Sequence, residues 1–575
     1  MTSHQPGSPD DQLPLASTPR RSGPRKDHLN PRSARFLDPG SAVRFQGQRL
    51  ETTAYAGDEL LLRPSQDDSQ ILDALTRAAD LEGYEARANE DDYDLVDLAR
   101  EADIPLDDTQ PLVVRITLHR RQNGRPLPPP DAWPVLQRFR ELIGDERRRN
   151  AVQLEHLLTT AAVKPAPYVA HSAGVNPYVA HPYVAHPYVA HPYVAHPYVA
   201  HPYVAHPYVA HDSSDPYAPQ PPSATAEYAQ PGWGGRMPVT WVGPPPTRRR
   251  RRDLGGARRP VVACVDLGCG THTWLTDKVV DRAPTCRHLP IGLTDPATDI
   301  EQRGVVTGRL TGSLDIEAGH GTFIAGLVHQ RCPDARILAI RVVQPDGVVN
   351  EYDVLRALNM LWLRQRLALK YERRDELIDV ITISLGYYHE QQTDAFFDPL
   401  MLAPLRALGR LGVAVVASAG NDATGRPMYP AAFAPYQGGV VGEMTRDEVP
   451  LVAVGATNPD GSIALFSNAG PWVRAYRPGA GLVSTVPMTF DAGQQPTYEV
   501  YVDGQRRATI DPDDFRSGFA VWSGTSFAAP ILAGDLAAYM NHSGALRKNP
   551  AKPEYPVRTA WEALRSEIPG IEEPR

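Results

Sequence analysis

Three short segments of the chain hold the residue types that acyl transfer requires. Val265-Asp266-Leu267-Gly268 places a carboxylate at the end of the apolar run Val261-Val262-Ala263-Cys264-Val265. Gly319-His320-Gly321-Thr322 places an imidazole at the head of a small-residue stretch. Ser523-Gly524-Thr525-Ser526-Phe527-Ala528-Ala529-Pro530 places a serine at the head of another. A serine hydroxyl is a poor nucleophile at neutral pH and needs an imidazole base within hydrogen-bond reach. That imidazole needs a carboxylate on its other nitrogen to set the tautomer and stabilise the imidazolium. Asp, then His, then Ser along the chain is one of the orders that builds this trio. Singly, each residue has a plain structural reading: a strand-end Asp, a helix-start His, a helix-start Ser. Together, in this order and with glycines beside each, they point to a nucleophilic site. Ser418-Ala419-Gly420-Asn421 adds an amide that can donate to an oxyanion, beside the backbone N–H of Ser526.

The elements that must hold these residues are readable from pattern. Short apolar runs at 261–265, 335–343, 377–385, 413–418 and 452–455 predict buried strands. Val354, Leu355, Leu358, Leu361 and Trp362 follow helical spacing, and 399–411 suggests another helix. Strands alternating with helices predict an α/β domain with a mainly parallel sheet. Residues 36–160 predict a separate small α+β domain. There 59–63 and 114–118 read as strands, while Ile71, Leu72, Leu75, Ala78 and Ala79 form a helical stripe, as do Val135, Leu136, Phe139, Leu142 and Ile143. Leu154, Leu157, Leu158 and Ala161 read as a further helical stripe.

Between the two domains lies a proline-rich stretch. The chain has 575 residues and 57 prolines, about twice the usual share of roughly 5%. Pro-Tyr-Val-Ala-His occurs at 167–171 and then seven times in tandem over 177–211. Proline every fifth residue blocks continuous helix and favours extended chain. The repeat carries 8 of the 18 histidines, so metal handling stands beside the plainer reading of an expanded spacer. A period of five does not align imidazoles on a three-per-turn helix, which favours the spacer. Arg248 to Arg252 close the stretch as a processing site, an anionic docking patch or a solvated end. The expected organisation is a disordered tail (1–35), the α+β domain (36–160), a disordered repeat linker (161–257), the α/β domain (258–545) and a partly helical extension (546–575).

Segment 258–545 resembles the subtilases, the subtilisin-like serine peptidases. The segments around Asp266, His320, Asn421 and Ser526 carry the resemblance. Ser384-Leu385-Gly386 looks like the family's substrate-backbone strand, and Tyr429-Pro430-Ala431 and Phe466-Ser467-Asn468 resemble its structural signatures. The resemblance implies a seven-stranded, mainly parallel sheet with helices on both faces. It also implies Asp266 as orienter, His320 as general base then acid, Ser526 as nucleophile and Asn421 as oxyanion donor. Ser384, Leu385 and Gly386, with Ser418, Ala419 and Gly420, would line the substrate backbone. Calcium belongs to the family, but no loop here matches a calcium site residue by residue, so no metal ligand and no required cofactor is assigned. The sequence departs from the pattern at Cys269 and Thr271, and in a long segment over 486–521 that reads as a surface insertion or substrate rim.

The expected function is a serine endopeptidase acting on protein or peptide substrates through an acyl-enzyme on Ser526. A catalytically silent scaffold with a peptidase fold, and metal handling by the repeat, are the alternatives. The α+β domain is read either as an inhibitor or folding assistant on a tether, or as a recognition module that delivers substrates or a protein partner; the long tether favours delivery. Asp422, next to Asn421, suggests a basic residue on the acyl side of the cut. The net charge of −8 argues against nucleic acid as a partner. No apolar run of membrane-spanning length and no export signal is seen, and four cysteines are too few for a disulfide scaffold. The expectation is a cytoplasmic protein, with non-classical export left open.

Overall fold

The computed structural model describes residues 34–44, 50–63, 68–104, 113–121, 128–160, 225, 227–390, 400–437, 439, 441, 445–547 and 554–572. The expectations for the tail before residue 34 and for the repeat at 167–211 lie outside the described residues.

The larger domain is built on seven parallel strands. Their order is Val473–Pro478, Val452–Thr457, Ala414–Ser418, Val380–Ile383, Val261–Asp266, Arg336–Arg341 and Val280–Asp281. Side chains alternate along Val261–Asp266, so Val261, Ala263 and Val265 enter one core, and Val262 and Cys264 the other. A strand covered on both faces is apolar throughout, which is why these runs carry no polar alternation. The first core packs helices Glu351–Lys370 and Leu402–Arg410 against the sheet. The second packs His320–Arg331, Thr525–His542 and Glu554–Glu567. Strand order reverses at Val261–Asp266, whose neighbours are Val380–Ile383 and Arg336–Arg341. Open α/β sheets place their sites at the carboxyl ends of strands beside such a reversal. Asp266, Ser384 and Ser418 stand at those ends.

The smaller domain is an antiparallel sheet in the order Tyr84–Ala88, Val114–Arg120, Ala54–Leu62, Val152–Thr160, with Ala34–Phe36 alongside Ala54–Leu62. Helices Asp68–Leu81 and Ala132–Leu142 cover one face, burying Leu60, Leu62, Ile71, Leu75, Val135, Leu136 and Phe139. The other face shares a core with the larger domain. Leu61, Leu95, Leu98, Ile104 and Leu158 join Tyr352, Leu355 and Leu358 of helix Glu351–Lys370. Burying each such leucine contributes up to about 1.5–3 kcal/mol, against about 0–1 kcal/mol for a surface ion pair. Apolar contact therefore dominates over the rim pairs Lys370–Asp103 (3.2 Å) and Arg426–Glu51 (2.8 Å).

Two expectations change. The stripe at Leu154, Leu157 and Leu158 belongs to strand Val152–Thr160, not a helix. Every residue of that strand except Thr159 is buried, and its partners are Ala54–Leu62 followed by Leu385–Gly386 on one edge and Val348–Asn350 on the other. When both faces are covered, apolar positions lose the period of two and mimic helical spacing. Residues 227–257, proline-rich and read as linker, lie on the larger domain. Met237–Pro238 pairs with Phe519–Trp522, and Arg236 Nη1 donates to the carbonyls of Asp315, Ile316 and Ala318. The arginine run pairs with the domain's own carboxylates: Arg249 with Asp334 at 2.6 Å and Arg251 with Asp375 at 2.8 Å.

Within 486–521 the hairpin Glu499–Val502 and Gln505–Ala508 stands largely in solvent, a surface insertion. All four cysteines are buried free thiols. Among the described residues no helix is long and apolar enough to cross a membrane.

Candidate active site

Three elements deliver the trio. Asp266 ends the strand Val261–Asp266, His320 opens the helix His320–Arg331, and Ser526 lies in the first turn of Thr525–His542. His320 Nδ1 lies 2.8 Å from Asp266 Oδ1, and His320 Nε2 lies 2.9 Å from Ser526 Oγ. A carboxylate only accepts, so Nδ1 carries the proton and Nε2 is left to accept from the serine hydroxyl. All three side chains are buried. Burial alone would depress the imidazolium, but the Asp266 charge and hydrogen bond outweigh it. The net pKa of His320 is raised above its ordinary value.

Close approach sets the aspartate–histidine distance. A Cβ on Gly321 would collide with the carbonyl oxygen of Gly268, so the helix sits against the strand end only with glycine there. The serine turn has its own device. Pro530 has no N–H to give the carbonyl four residues back, which is that of Ser526. That carbonyl accepts the Ser384 hydroxyl at 2.9 Å instead. The Ser526 backbone is thereby tied to the residue that precedes Leu385–Gly386.

Asn421 directs its Oδ1 at Thr525, accepting from the Thr525 N–H and hydroxyl, both at 2.9 Å. Thr525 Oγ1 also accepts from Gly420 N–H at 3.1 Å. Gly420 has φ of +105°, and a Cβ there would strike the Asn468 amide and the Met428 sulfur. The Asn421 amide is held with its NH₂ end turned away from Thr525, on the helix start that carries Ser526. Ser418 and Ala419 are buried at the end of Ala414–Ser418. Asp422 is exposed and accepts the Tyr388 hydroxyl at 2.6 Å.

Leu385 and Gly386 are paired already. Leu385 lies opposite Thr160 and Gly386 opposite Thr159, antiparallel. The last strand of the smaller domain thus ends within one register step of Ser384, and so beside Ser526.

Sequence reasoning missed Glu301. The helix His320–Arg331 starts on Gly319, which offers no side-chain acceptor to the first free N–H groups. Glu301, on the short helix Ile300–Arg303, supplies one. Its Oε1 accepts from Gly319 N–H (3.0 Å) and Gly321 N–H (3.1 Å), and its Oε2 from Thr322 N–H (3.1 Å) and the Thr322 hydroxyl. Thr322 Oγ1 in turn accepts from Gly270 N–H at 2.7 Å, joining the aspartate loop to the same anchor. A helix opening Gly-His-Gly-Thr was the available signal that a remote acceptor was needed.

Glu301→Ala strands three N–H groups and a hydroxyl in a dry site, at about 1–3 kcal/mol for each group left unpaired. Chemical denaturation of this variant should show a loss of at least about 3 kcal/mol. A loss under about 1 kcal/mol would contradict the anchoring role.

The subtilase family model matches residues 257–560. Over 292 residues the chain is 28% identical to the thermophilic serine proteinase of Bacillus sp. (strain AK1), covering 50% of this chain and 54% of that one. It is 26% identical over 186 residues to the minor extracellular protease Epr of Bacillus subtilis (strain 168), covering 30% and 23%. The chain thus spans about half the length of the first relative and about a quarter of the second. The crystal structure of fervidolysin from Fervidobacterium pennivorans, a keratinolytic enzyme related to subtilisin, aligns with TM-score 0.40 at 17% identity, covering 88% of this chain and 59% of that one. With the family match spanning more than half its length, the chain belongs to the subtilase family.

Proposed function

We propose that this protein is a serine endopeptidase that cuts protein or peptide substrates through an acyl-enzyme on Ser526. The hydrogen-bonded line Asp266–His320–Ser526 carries this reading. His320 takes the Ser526 proton as the hydroxyl attacks the scissile carbonyl, then returns it to the leaving amine. Asp266 holds the tautomer and stabilises the imidazolium. Asn421 and the Ser526 N–H serve as oxyanion donors, and Ser384 to Gly386 read the substrate backbone. No cofactor enters these steps. The silent-scaffold alternative loses support because the trio is aligned at hydrogen-bonding distance. A cytoplasmic setting stays part of the proposal, supported by four buried unpaired thiols.

The smaller domain is proposed as an inhibitor in cis. Tether length argued for delivery; the pairing of Thr159 and Thr160 with Gly386 and Leu385 argues for inhibition, since a substrate backbone would need the same edge. Its partner is then the catalytic domain itself.

Ser526→Ala should abolish both peptide hydrolysis and active-site labelling by a fluorophosphonate; labelling that survives would overturn the assignment. The pH profile gives a second check. His320 must be neutral to act as base, and its pKa is raised, so kcat/KM should climb through a midpoint above about 6.5, the ordinary histidine value. A midpoint below 6 in the wild-type profile would contradict the geometry.

A further inference from the structure

We propose that His156, buried at the seam between the two domains, makes docking of the smaller domain depend on a bound proton, so that rising pH loosens the inhibitor. The inference rests on the inhibitory reading above and supplies its regulation.

His156 sits in strand Val152–Thr160 with its ring fully enclosed. Its Nδ1 lies 2.6 Å from Glu351 Oε2, at the start of helix Glu351–Lys370. Its Nε2 lies 2.8 Å from Glu390 Oε2, in the segment that follows Leu385–Gly386. Both carboxylates belong to the catalytic domain, and the imidazole to the inhibitor. Carboxylates only accept, so each of the two bonds needs its own proton, and a neutral imidazole brings one. The docked trio therefore holds one proton more than a neutral ring beside two carboxylates. Without it, a ring lone pair would face a carboxylate oxygen in a dry site.

The surrounding groups agree in sign. Burial opposes a charged ring, but Glu351 and Glu390 outweigh it, and His156 is pushed up to about 10. Burial would also raise Glu390; His389, His156 and Arg140 outweigh that and pull it well below the usual carboxylate range. His389 Nδ1 lies 3.4 Å from Glu390 Oε2, and the Tyr387 hydroxyl donates to Glu351 Oε1 at 3.3 Å. Burial raises Tyr387 further, so it stays neutral. From the inhibitor side, Tyr55 is raised chiefly by burial and stays neutral. Glu155, whose carboxylate accepts the Tyr352 N–H across the seam, is pushed well up by burial and adds proton uptake of the same sign. The donor atoms of His156, His389 and Glu390 lie within 4.8 Å of one another, as a metal site would require. Both His156 nitrogens already face carboxylate oxygens, which sets a proton there rather than a cation.

Undocked, His156 returns to about 6.5. The docked value is the higher one, so the proton's contribution is complete below about 6.5. It falls by up to tenfold per pH unit above that and is lost near 10. Below about 4.3 Glu390, held low in the docked state, protonates on undocking and the docked state weakens again. Docking is tightest between these limits. The apolar face around Leu61 and Leu158 keeps the domains together at neutral pH.

The test is amide hydrogen exchange on the full chain carrying Ser526→Ala, which keeps it uncut, from pH 6 to 9 with intrinsic rates divided out. Protection at 157–160 and 385–386 should fall at least about tenfold per pH unit above roughly pH 7. Adding His156→Gln should remove the His156 share, about tenfold per pH unit, and leave only what Glu155 contributes. If His156→Gln also strips protection from 54–62, the inhibitor itself has unfolded, and Glu390→Gln is read instead. Its amide can donate to a neutral imidazole, so the slope should again drop by the His156 share, about tenfold per pH unit. Protection that is present but flat with pH in the otherwise wild-type chain, or a full slope in Glu390→Gln, overturns the proton latch alone. Absence of protection at every pH overturns the docked inhibitor and the latch with it.

Discussion

A subtilisin-like peptidase must keep one strand edge open to read a peptide backbone, and an open edge pairs with any extended chain that reaches it. Here Leu385–Gly386 is the edge proposed for that role, and the chain paired with it is Val152–Thr160 from the same molecule. The pairing extends to Val348–Asn350, so the antiparallel sheet of the smaller domain continues across the seam as one seven-stranded sheet. Main-chain bonds align the two domains and the shared core around helix Glu351–Lys370 supplies most of the attraction. His156 with its two glutamates adds a term that depends on pH.

The Asp266–His320–Ser526 trio depends on a few local devices that each solve one packing problem. Gly321 lets the histidine helix touch the aspartate strand. Glu301 satisfies the helix start that Gly319 cannot cap. Pro530 releases the Ser526 carbonyl to Ser384. Thr525 joins Gly420 and Asn421 to the turn that carries Ser526. Each device couples two segments far apart in sequence, so the trio reports on the whole carboxyl end of the sheet.

Asp266, His320 and Ser526 were legible because each stands in a local backbone setting that demands particular neighbours. Glycine is needed where backbones touch, and proline where a carbonyl must be released. The parallel sheet was legible as apolar runs. Glu301 was not, because the N–H groups it satisfies lie 18–21 residues away and no spacing rule links them. His156 was hidden for the same reason, its partners lying 195 and 234 residues on. The strand Val152–Thr160 was misread as helix because both its faces are buried. The proline-rich segment 227–257 was misread as linker. It is held by arginine bonds to main-chain carbonyls and remote carboxylates, which composition does not register.

A docked inhibitor strand must shield Ser526. Leu158, buried in the shared core, can be changed to Asp to open the seam without touching the trio. The fluorophosphonate labelling rate of Ser526 in the intact, uncleaved chain should then rise at least about tenfold over the unmodified chain at pH 7. Equal rates in the two chains would show that the strand leaves the nucleophile accessible, and would contradict the account.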